Sequence, residues 1–256
     1  MKIRAIAIST FSTLVRNRVI ILLFALFLCV LLLFMVPLAG MKGVGESFAL
    51  GFVSAIMSVL SGFGSLLAAW SAADAVAGEM KSGTILAVMA RPVRRWEFLL
   101  GKYLGVQLLM VVYVAFMFGM SYLMAAIGGQ TIHAAPWILI VYPLVRYAIY
   151  SALAMWLVTM MHPVVAFAIV LLTPVVASFA GPGDGLVPGW IRMPFYAVLP
   201  SFDLLSESDY LGMTQANLKP IPWTHHTTAL AYGLDYALVL FLFAVWSFRR
   251  RPLTRD

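Results

Sequence analysis

Six long apolar segments restrict what this sequence can fold into. Each is continuously apolar rather than alternating, which favours transmembrane helices over the strands of a barrel. A helix that crosses about 30 Å of hydrocarbon needs about 20 such residues. The sequence therefore predicts an all-α, polytopic integral membrane protein with six transmembrane helices. The segments are Val19–Ala39, Phe48–Ala73, Tyr103–Ile127, Trp137–Met161, Pro163–Ala180 and Thr227–Phe248.

Composition agrees with a bilayer environment. Of the 256 residues, 63% are hydrophobic and 11% are charged, whereas about a quarter of the residues in a soluble domain are charged. The net charge of +7 would also suit a nucleic-acid partner, but in so apolar a chain it favours basic residues collected on one membrane face. We expect the lipid bilayer and no nucleic acid as a partner. The single cysteine, Cys29, lies inside an apolar segment, so no disulfide framework is predicted.

The basic residues predict the orientation. With the amino terminus in the cytosol, three of the 17 Lys and Arg residues lie outside (Lys42, Arg192 and Lys219) and Arg146 lies within a span. The remaining thirteen are cytosolic, as the positive-inside rule requires. Both termini are therefore predicted to be cytosolic. The cytosolic set is Lys2, Arg4, Arg16, Arg18, Lys81, Arg91, Arg94, Arg95, Lys102, Arg249, Arg250, Arg251 and Arg255.

Four further regions follow from this topology. Two are loops within the membrane domain at residues 19–248, and two are terminal segments. Residues 79–102 form a charged cytosolic loop, 181–226 a long outer loop and 249–256 a basic cytosolic tail. Residues 1–18 are predicted to form an amphipathic helix at the inner interface. A plain cytosolic lead-in to the first span is the alternative. The helix is indicated by apolar residues at three- and four-residue steps, Ile3, Ile6, Ala7, Phe11, Leu14 and Val15.

The densest charge cluster lies in one internal stretch, EMKSGTILAVMARPVRRWEFLLGKYLG, from Glu79 to Gly105. It joins the second and third spans, and its short basic and aromatic part suits docking to an acidic groove on a partner. The alternative is that its arginines only set topology while Trp96 marks the interface. The residues alone leave both open.

The same stretch resembles the second cytosolic connection of the ABC type-2 permease family. The resemblance lies in a Glu, then Gly-Thr, a Pro preceded by a basic residue, and an Arg before Gly-Lys. Further resemblances are STFSTLVRNRV near the start, VLPSFDLLSESDYL before the last span, and SFRRRPL at the end. Together they cover nearly the whole chain, and the subgroup resembled is the six-span permease of bacterial exporters.

The resemblance implies a homodimer of six-span subunits held from the cytosol by two ABC-type ATPase subunits. The connection matching Glu79–Lys102 would transmit the ATPase stroke, with Glu79 as an ordering residue at the base of the second span. The helix Lys2–Arg16 would form the second contact with the ATPase. The docking element would comprise Arg91, Pro92, Arg94, Arg95 and Glu97.

Enzyme classes are disfavoured by missing motifs. A P-loop reads G-x-x-x-x-G-K-[ST], but Gly101-Lys102 is followed by Tyr103, so ATP hydrolysis is assigned to a separate subunit. Gly62-Phe63-Gly64-Ser65 reverses the order of an intramembrane serine protease motif. No zinc protease motif is formed by the four histidines, His133, His162, His225 and His226. We expect no catalytic residues, no cofactor and no metal site.

Two charges lie deep within spans. Arg146 is about 24 Å up the fourth span and Asp235 about 21 Å up the sixth, when both are counted from the cytosolic ends. Charges at such depth are functional candidates by default, and we hypothesise an ion pair that holds the outer end shut. The alternative is that Arg146 snorkels outward while Asp235 faces a wet vestibule.

The sequence thus predicts the membrane-spanning permease subunit of an ATP-binding cassette exporter. A regulatory or scaffold membrane subunit of an ATPase complex, which would not itself transport, is the alternative, and import is the alternative direction.

The orientation can be tested by cysteine labelling in a Cys29→Ser background. Arg94→Cys should react with a membrane-impermeant thiol reagent only after the cytosolic side is opened, whereas Lys42→Cys should react in intact cells. Labelling of Arg94→Cys from outside alone would overturn the topology.

Overall fold

The computed structural model describes residues 2–40, 46–82, 94–180, 199–206, 208–211 and 222–250. Within these ranges the chain is helical with short connections and contains no strand. The elements are α1 (Lys2–Val15), α2 (Arg18–Gly40), α3 (Glu46–Ser82), α4 (Arg95–Gly128), α5 (Pro136–Met160), α6 (Pro163–Ala180), a 3-10 turn (Phe202–Leu205), α7 (Ser208–Leu211) and α8 (Trp223–Arg250).

The all-helical membrane fold is confirmed, with four helices that are long and apolar enough to cross a bilayer among the described residues. They are Phe48–Met80 of α3, Arg95–Gly128 of α4, Pro136–Met160 of α5 and Trp223–Arg250 of α8. A fifth span results if α1 and α2, bent by 61° relative to each other, are taken together. The described part of α6, Pro163–Ala177, is shorter. The chain is therefore a multi-pass membrane protein, and six crossings with an interfacial α1 stay predictions.

Two helices continue well past the apolar segments that predicted them. Helix α3 ends nine residues after Ala73, and α4 begins eight residues before Tyr103. With 37 and 34 residues, these helices are about 56 and 51 Å long, longer than the hydrocarbon layer. The predicted charged loop therefore begins and ends as continuous helix, with Glu79 on the extension of α3 and Arg95, Glu97 and Lys102 on the extension of α4.

Helix α5 lies at the centre of the bundle. Its apolar window is 72% buried inside the single chain, against 28% for α8, and it packs against α3, α4, α6 and α8. Gly64 of α3 admits the ring of Tyr147, because a Cβ at this position would overlap the tyrosine hydroxyl. The same hydroxyl lies 3.2 Å from Ser61 Oγ. The Tyr147 side chain of α5 thus packs against Gly64 and the Ser61 hydroxyl of α3.

Helix α8 packs on the other side of α5 in the same manner. A Cβ at Gly233 would overlap Val145 of α5, so the two backbones approach closely there. At the end of α8 predicted to face outside, His226 Nδ1 lies 2.6 Å from the Tyr142 hydroxyl, and Trp223 stacks on Trp137 with ring centroids 5.4 Å apart. Buried side chains of α8 continue this face as His226, Ala229, Gly233, Ala237, Leu240, Ala244 and Phe248.

Helix α1 lies against α4 rather than standing alone. A Cβ at Gly101 would lie 2.7 Å from Ile6 Cβ, and a Cβ at Gly105 would lie 2.6 Å from Thr10 Cβ and 2.8 Å from the Ala7 carbonyl oxygen. The two glycines lie one turn apart and bring the α4 backbone onto α1, as small residues do between membrane helices. The apolar face predicted for residues 1–18 is therefore covered by α4, while Val15 is exposed.

This contact predicts that Gly105→Ala destabilises the protein. The added methyl group has no room, so we expect a loss of about 1–3 kcal/mol in unfolding free energy. Gly119→Ala on the same helix is the matched control, since a Cβ there meets nothing within 4 Å and alanine is the better helix former by about 1 kcal/mol. Thermal unfolding in detergent measures both. Equal melting temperatures for the two variants would contradict the packing.

Candidate functional site

The candidate site is formed by the helix ends that flank the charged connection. Arg91 and Pro92 lie outside the described residues, as does all of 83–93. Glu79 near the end of α3, and Arg94, Arg95 and Glu97 at the start of α4, are described. Their contacts define how the connection is attached to the bundle.

An ion pair joins the two helices below the connection. The Lys102 ammonium of α4 donates to Glu79 Oε1 of α3, and the side chains are 8% and 28% exposed, respectively. A lysine this buried requires a paired anion, because an isolated ammonium in an apolar surrounding is costly. The Phe98 ring lies 5.6 Å from the ammonium and adds a cation–π contact. The pair therefore fixes the distance between α3 and α4 where both leave the bundle.

The first turn of α4 is capped by its own sequence. Arg94 is the N-cap residue with extended backbone, and its main-chain N–H donates to Glu97 Oε2 at 2.8 Å. The carboxylate also lies at the positive end of the helix dipole, where it is favourable. The start of α4 at Arg95 is thus encoded locally. The Arg94 side chain is exposed.

Arg95 connects α4 to the end of α8. Its Nη1 donates to the carbonyl oxygens of Phe248 at 3.1 Å and Arg249 at 2.9 Å. These carbonyls belong to the last turn of α8, which lacks internal partners and carries the negative end of the helix dipole. The rings of Phe98 and Phe248 stack beside them with centroids 6.0 Å apart. The guanidinium therefore acts as a C-terminal cap supplied by another helix.

A fourth contact connects the bend between α1 and α2 to α3. The side-chain amide of Asn17 donates to Asp74 Oδ2 of α3 at 2.7 Å, while its Oδ1 accepts the Val19 N–H at 2.9 Å. Asn17 therefore caps α2 with its side-chain oxygen and attaches the bend to α3 with its side-chain nitrogen. The Asp74 carboxylate of α3 thus has an amide partner on the bend between α1 and α2.

These contacts tie four helices into one layer. Helix α3 is joined to α4 by Glu79 and Lys102, α4 to α8 by Arg95, α4 to α1 by the two glycines, and α3 to the α1–α2 bend by Asn17.

Comparison with known families agrees with this architecture. The sequence model of the family described as "ABC-2 family transporter protein" matches residues 4–253, nearly the whole chain. The chain belongs to the ABC-2 transporter family. The predicted resemblance is therefore confirmed, and the ABC-2 chain is a membrane component of a transport system. No curated protein matches the chain.

The structure describes four of the predicted coupling residues, on the two flanks of the connection. Glu79, Arg95 and Glu97 of the ABC-2 chain make fixed contacts at the flanks of the connection, and Arg94 presents its side chain outward. Their role in docking an ATPase stays a prediction.

The two intramembrane charges are placed differently. Arg146 donates to Ser61 Oγ of α3, whereas Asp235 lies on the exposed side of α8, two residues from the buried Gly233. An ion pair between Arg146 and Asp235 is not among the contacts of the described residues. The hypothesised pair of Arg146 and Asp235 is therefore absent from the described contacts and stays a prediction for charge-reversal tests.

Several contacts of the site were not predicted. Lys102 was recognised only as a charged residue of the loop, and Asn17 and the carbonyls of Phe248 and Arg249 were not singled out. The Glu79 carboxylate, 23 residues before Lys102, indicates a candidate ion-pair partner. Sequence spacing alone does not show which charged residues are in contact. The Gly101 and Gly105 repeat did carry a readable signal for close helix packing.

The buried ion pair predicts coupled effects on stability. Lys102→Met leaves the Glu79 carboxylate without its cation, and Glu79→Gln leaves the ammonium without its anion. We expect each to cost about 1–3 kcal/mol in unfolding free energy and the double variant to cost less than their sum. Arg94→Gln, an exposed cation on the same helix, should change stability by less than about 0.5 kcal/mol. Strictly additive losses in thermal unfolding would contradict the pair.

Proposed function

We propose that this protein is the permease subunit of an ATP-binding cassette exporter, driven by a separate ATPase that docks on the connection at residues 79–102. The observation that carries the proposal is the anchoring of that connection, through Glu79, Lys102 and Arg95, to helices that cross the membrane. Family membership supports the transport role. The absence of a P-loop in these 256 residues supports an ATPase outside them.

The anchoring suggests how a stroke would be transmitted. An ATPase that grips the exposed Arg94 side chain would move the start of α4, and the Glu79–Lys102 pair would pass that movement to α3. Arg95 would engage α8, and the glycine contact would make α1 follow α4. Because α3 and α4 are long continuous helices, displacement at their ends would reach the membrane layer without a break in hydrogen bonding.

The finer features of the proposal have other support. Both termini in the cytosol are what the distribution of basic residues predicts, and placement in the cytoplasmic (inner) membrane is what the resemblance implies. Two copies around a central path, and export rather than import, are what the resemblance implies. The exposed basic residues Lys2 and Arg4 of α1, and Arg16 just after it, suit a second contact with acidic groups of the ATPase.

The proposal predicts that Arg94→Glu abolishes docking. The exposed guanidinium would meet acidic groups on the ATPase, so reversing its charge should reduce the ATPase retained on the tagged chain at least tenfold. The measurement is the amount of P-loop ATPase that co-purifies with the tagged chain from native membranes. Lys42→Glu reverses a charge on the opposite side in the predicted topology and should leave retention unchanged.

Hydrolysis separates a pump from a scaffold. In nanodiscs, Lys102→Met should retain the ATPase but lower the hydrolysis rate that the wild-type chain supports, because the link between α3 and α4 is lost. Unchanged hydrolysis with normal retention would favour the regulatory or scaffold subunit. Equal retention of the ATPase by Arg94→Glu and wild type would refute docking at this connection.

A further inference from the structure

Helix α8 has two opposite faces with different surroundings. One face packs on α5, where a Cβ at Gly233 would overlap Val145. The opposite face is exposed in the single chain and repeats at three- and four-residue steps. Among the four described helices that could cross a bilayer, α8 has the smallest buried share of its apolar window, 28%. The exposed stripe consists of Thr224, Thr228, Ala231, Asp235, Leu238, Leu242 and Trp246.

Asp235 places a carboxylate near the middle of this stripe. It lies about 18 Å along α8 from Trp223 and about 22 Å from Arg250, and tryptophan and arginine at the two ends of a span are typical of the membrane interfaces. Its side chain is exposed, and the contacts of the described residues include no hydrogen bond or ion pair of its carboxylate. An aspartate side chain is too short to reach either interface from this depth. The carboxylate therefore needs a partner at mid-membrane depth.

The rest of the stripe suits contact with another helix. Ionisable residues at membrane depth almost always face protein or a water-filled space rather than lipid. Thr224, Thr228 and Ala231, which precede Asp235 on the stripe, are small, and small residues let membrane helices approach closely. The Thr228 hydroxyl donates to the Thr224 carbonyl oxygen at 2.8 Å, so it needs no water. This half of the stripe thus combines a smooth surface with one charge.

The charge indicates which helix would cover the stripe. Two copies of the chain that packed α8 against α8 around a twofold axis would place their Asp235 carboxylates together, and like charges at one site repel. A second copy that presented another helix would have to supply a cation at the same depth. The described Lys and Arg residues lie toward the predicted cytosolic side, except Arg146, which donates to Ser61 of α3. Charge complementarity therefore favours a helix of a different protein.

We propose that the exposed stripe of α8 binds a transmembrane helix of a second kind of membrane subunit, and that a lysine or arginine of that helix pairs with Asp235 near the middle of the bilayer. Such a pair neutralises both charges where neither could remain alone in lipid. Because the pair forms only between matched depths and facing sides, it fixes the register of the two helices. This contact goes beyond the proposed function and is separate from ATPase docking at residues 79–102.

Model helices test the stripe on the purified full chain in phosphatidylcholine vesicles, without an ATPase. The probes are polyleucine peptides of about 21 residues that differ only at the central residue, which is arginine, leucine or glutamate. Energy transfer from a fluorescent protein fused to the carboxyl terminus of the chain, to an acceptor on the peptide, measures binding. We expect the arginine peptide to bind about tenfold more tightly than the leucine peptide, and the glutamate peptide to bind no more tightly than the leucine peptide.

Variants of Asp235 test the pair. Asp235→Asn keeps the side-chain shape without the charge and should abolish the preference for arginine, whereas Asp235→Lys should prefer the glutamate peptide by about tenfold. The matched control exchanges two neighbours, Leu234→Asp with Asp235→Leu. Leu234 is 57% exposed, and the exchange keeps composition and depth while it turns the carboxylate by about 100° around α8. We expect the exchanged chain to show no preference, because the charge then lies off the stripe.

Four results would overturn the proposal. Equal binding of the three peptides by wild type would refute the pair, and an unchanged preference in the exchanged chain would refute the stripe. Loss of a chain dimer on Asp235→Asn, measured by native mass spectrometry, would assign the stripe to a second copy. Tighter binding of the arginine peptide after Arg192→Gln with Lys219→Gln, at outer-loop positions outside the described residues, would assign the carboxylate to the chain's own loop. None of these results depends on the ATPase.

Discussion

The Lys102 ammonium is held away from water at the point where α3 and α4 leave the bundle, and this requirement organises the end of the molecule that carries the charged connection. A buried cation needs an anion at contact distance, and Glu79 supplies it from the neighbouring helix. The helix ends are therefore set in register with each other, which places the first turn of α4 where Arg95 can cap α8. The stacking of Phe98 on Phe248 then shields the same region from solvent.

Close backbone contact accounts for the rest of the bundle. Between helices in lipid the hydrophobic effect provides little attraction, so packing of small residues and hydrogen bonds must supply it. Tyr147 packs against Gly64, α1 packs against Gly101 and Gly105, and Val145 packs against Gly233. At each place one helix lacks a side chain where the other presents one, which defines a single relative position. Polar contacts such as Tyr113 Oη with the Leu60 carbonyl oxygen, at 2.6 Å, occur beside these places.

The sequence predicted what depends on local composition. Apolar length located the helices that are long enough to cross a membrane, and the order of motifs led to the family that the comparison confirmed. Pairings between distant segments could not be read in this way. Lys102 and Glu79 are 23 residues apart and Asn17 and Asp74 are 57 apart, and the helix register that joins them is decided by packing. Arg146 and Asp235 show the same limit, since similar depth in two spans says nothing about which sides of the helices face each other.

The contact between α1 and α4 has a consequence for biosynthesis. Gly105 follows Thr10 by 95 residues, which a ribosome adds in about 5–20 s. During that interval α1 has emerged and its partner helix has not, so Ile6, Ala7 and Thr10 need a temporary cover. The headgroup region of the bilayer provides one for an amphipathic segment. If residues 1–18 lie at the bilayer interface as their amphipathic pattern predicts, lipid would shelter the nascent helix until α4 is inserted and replaces it.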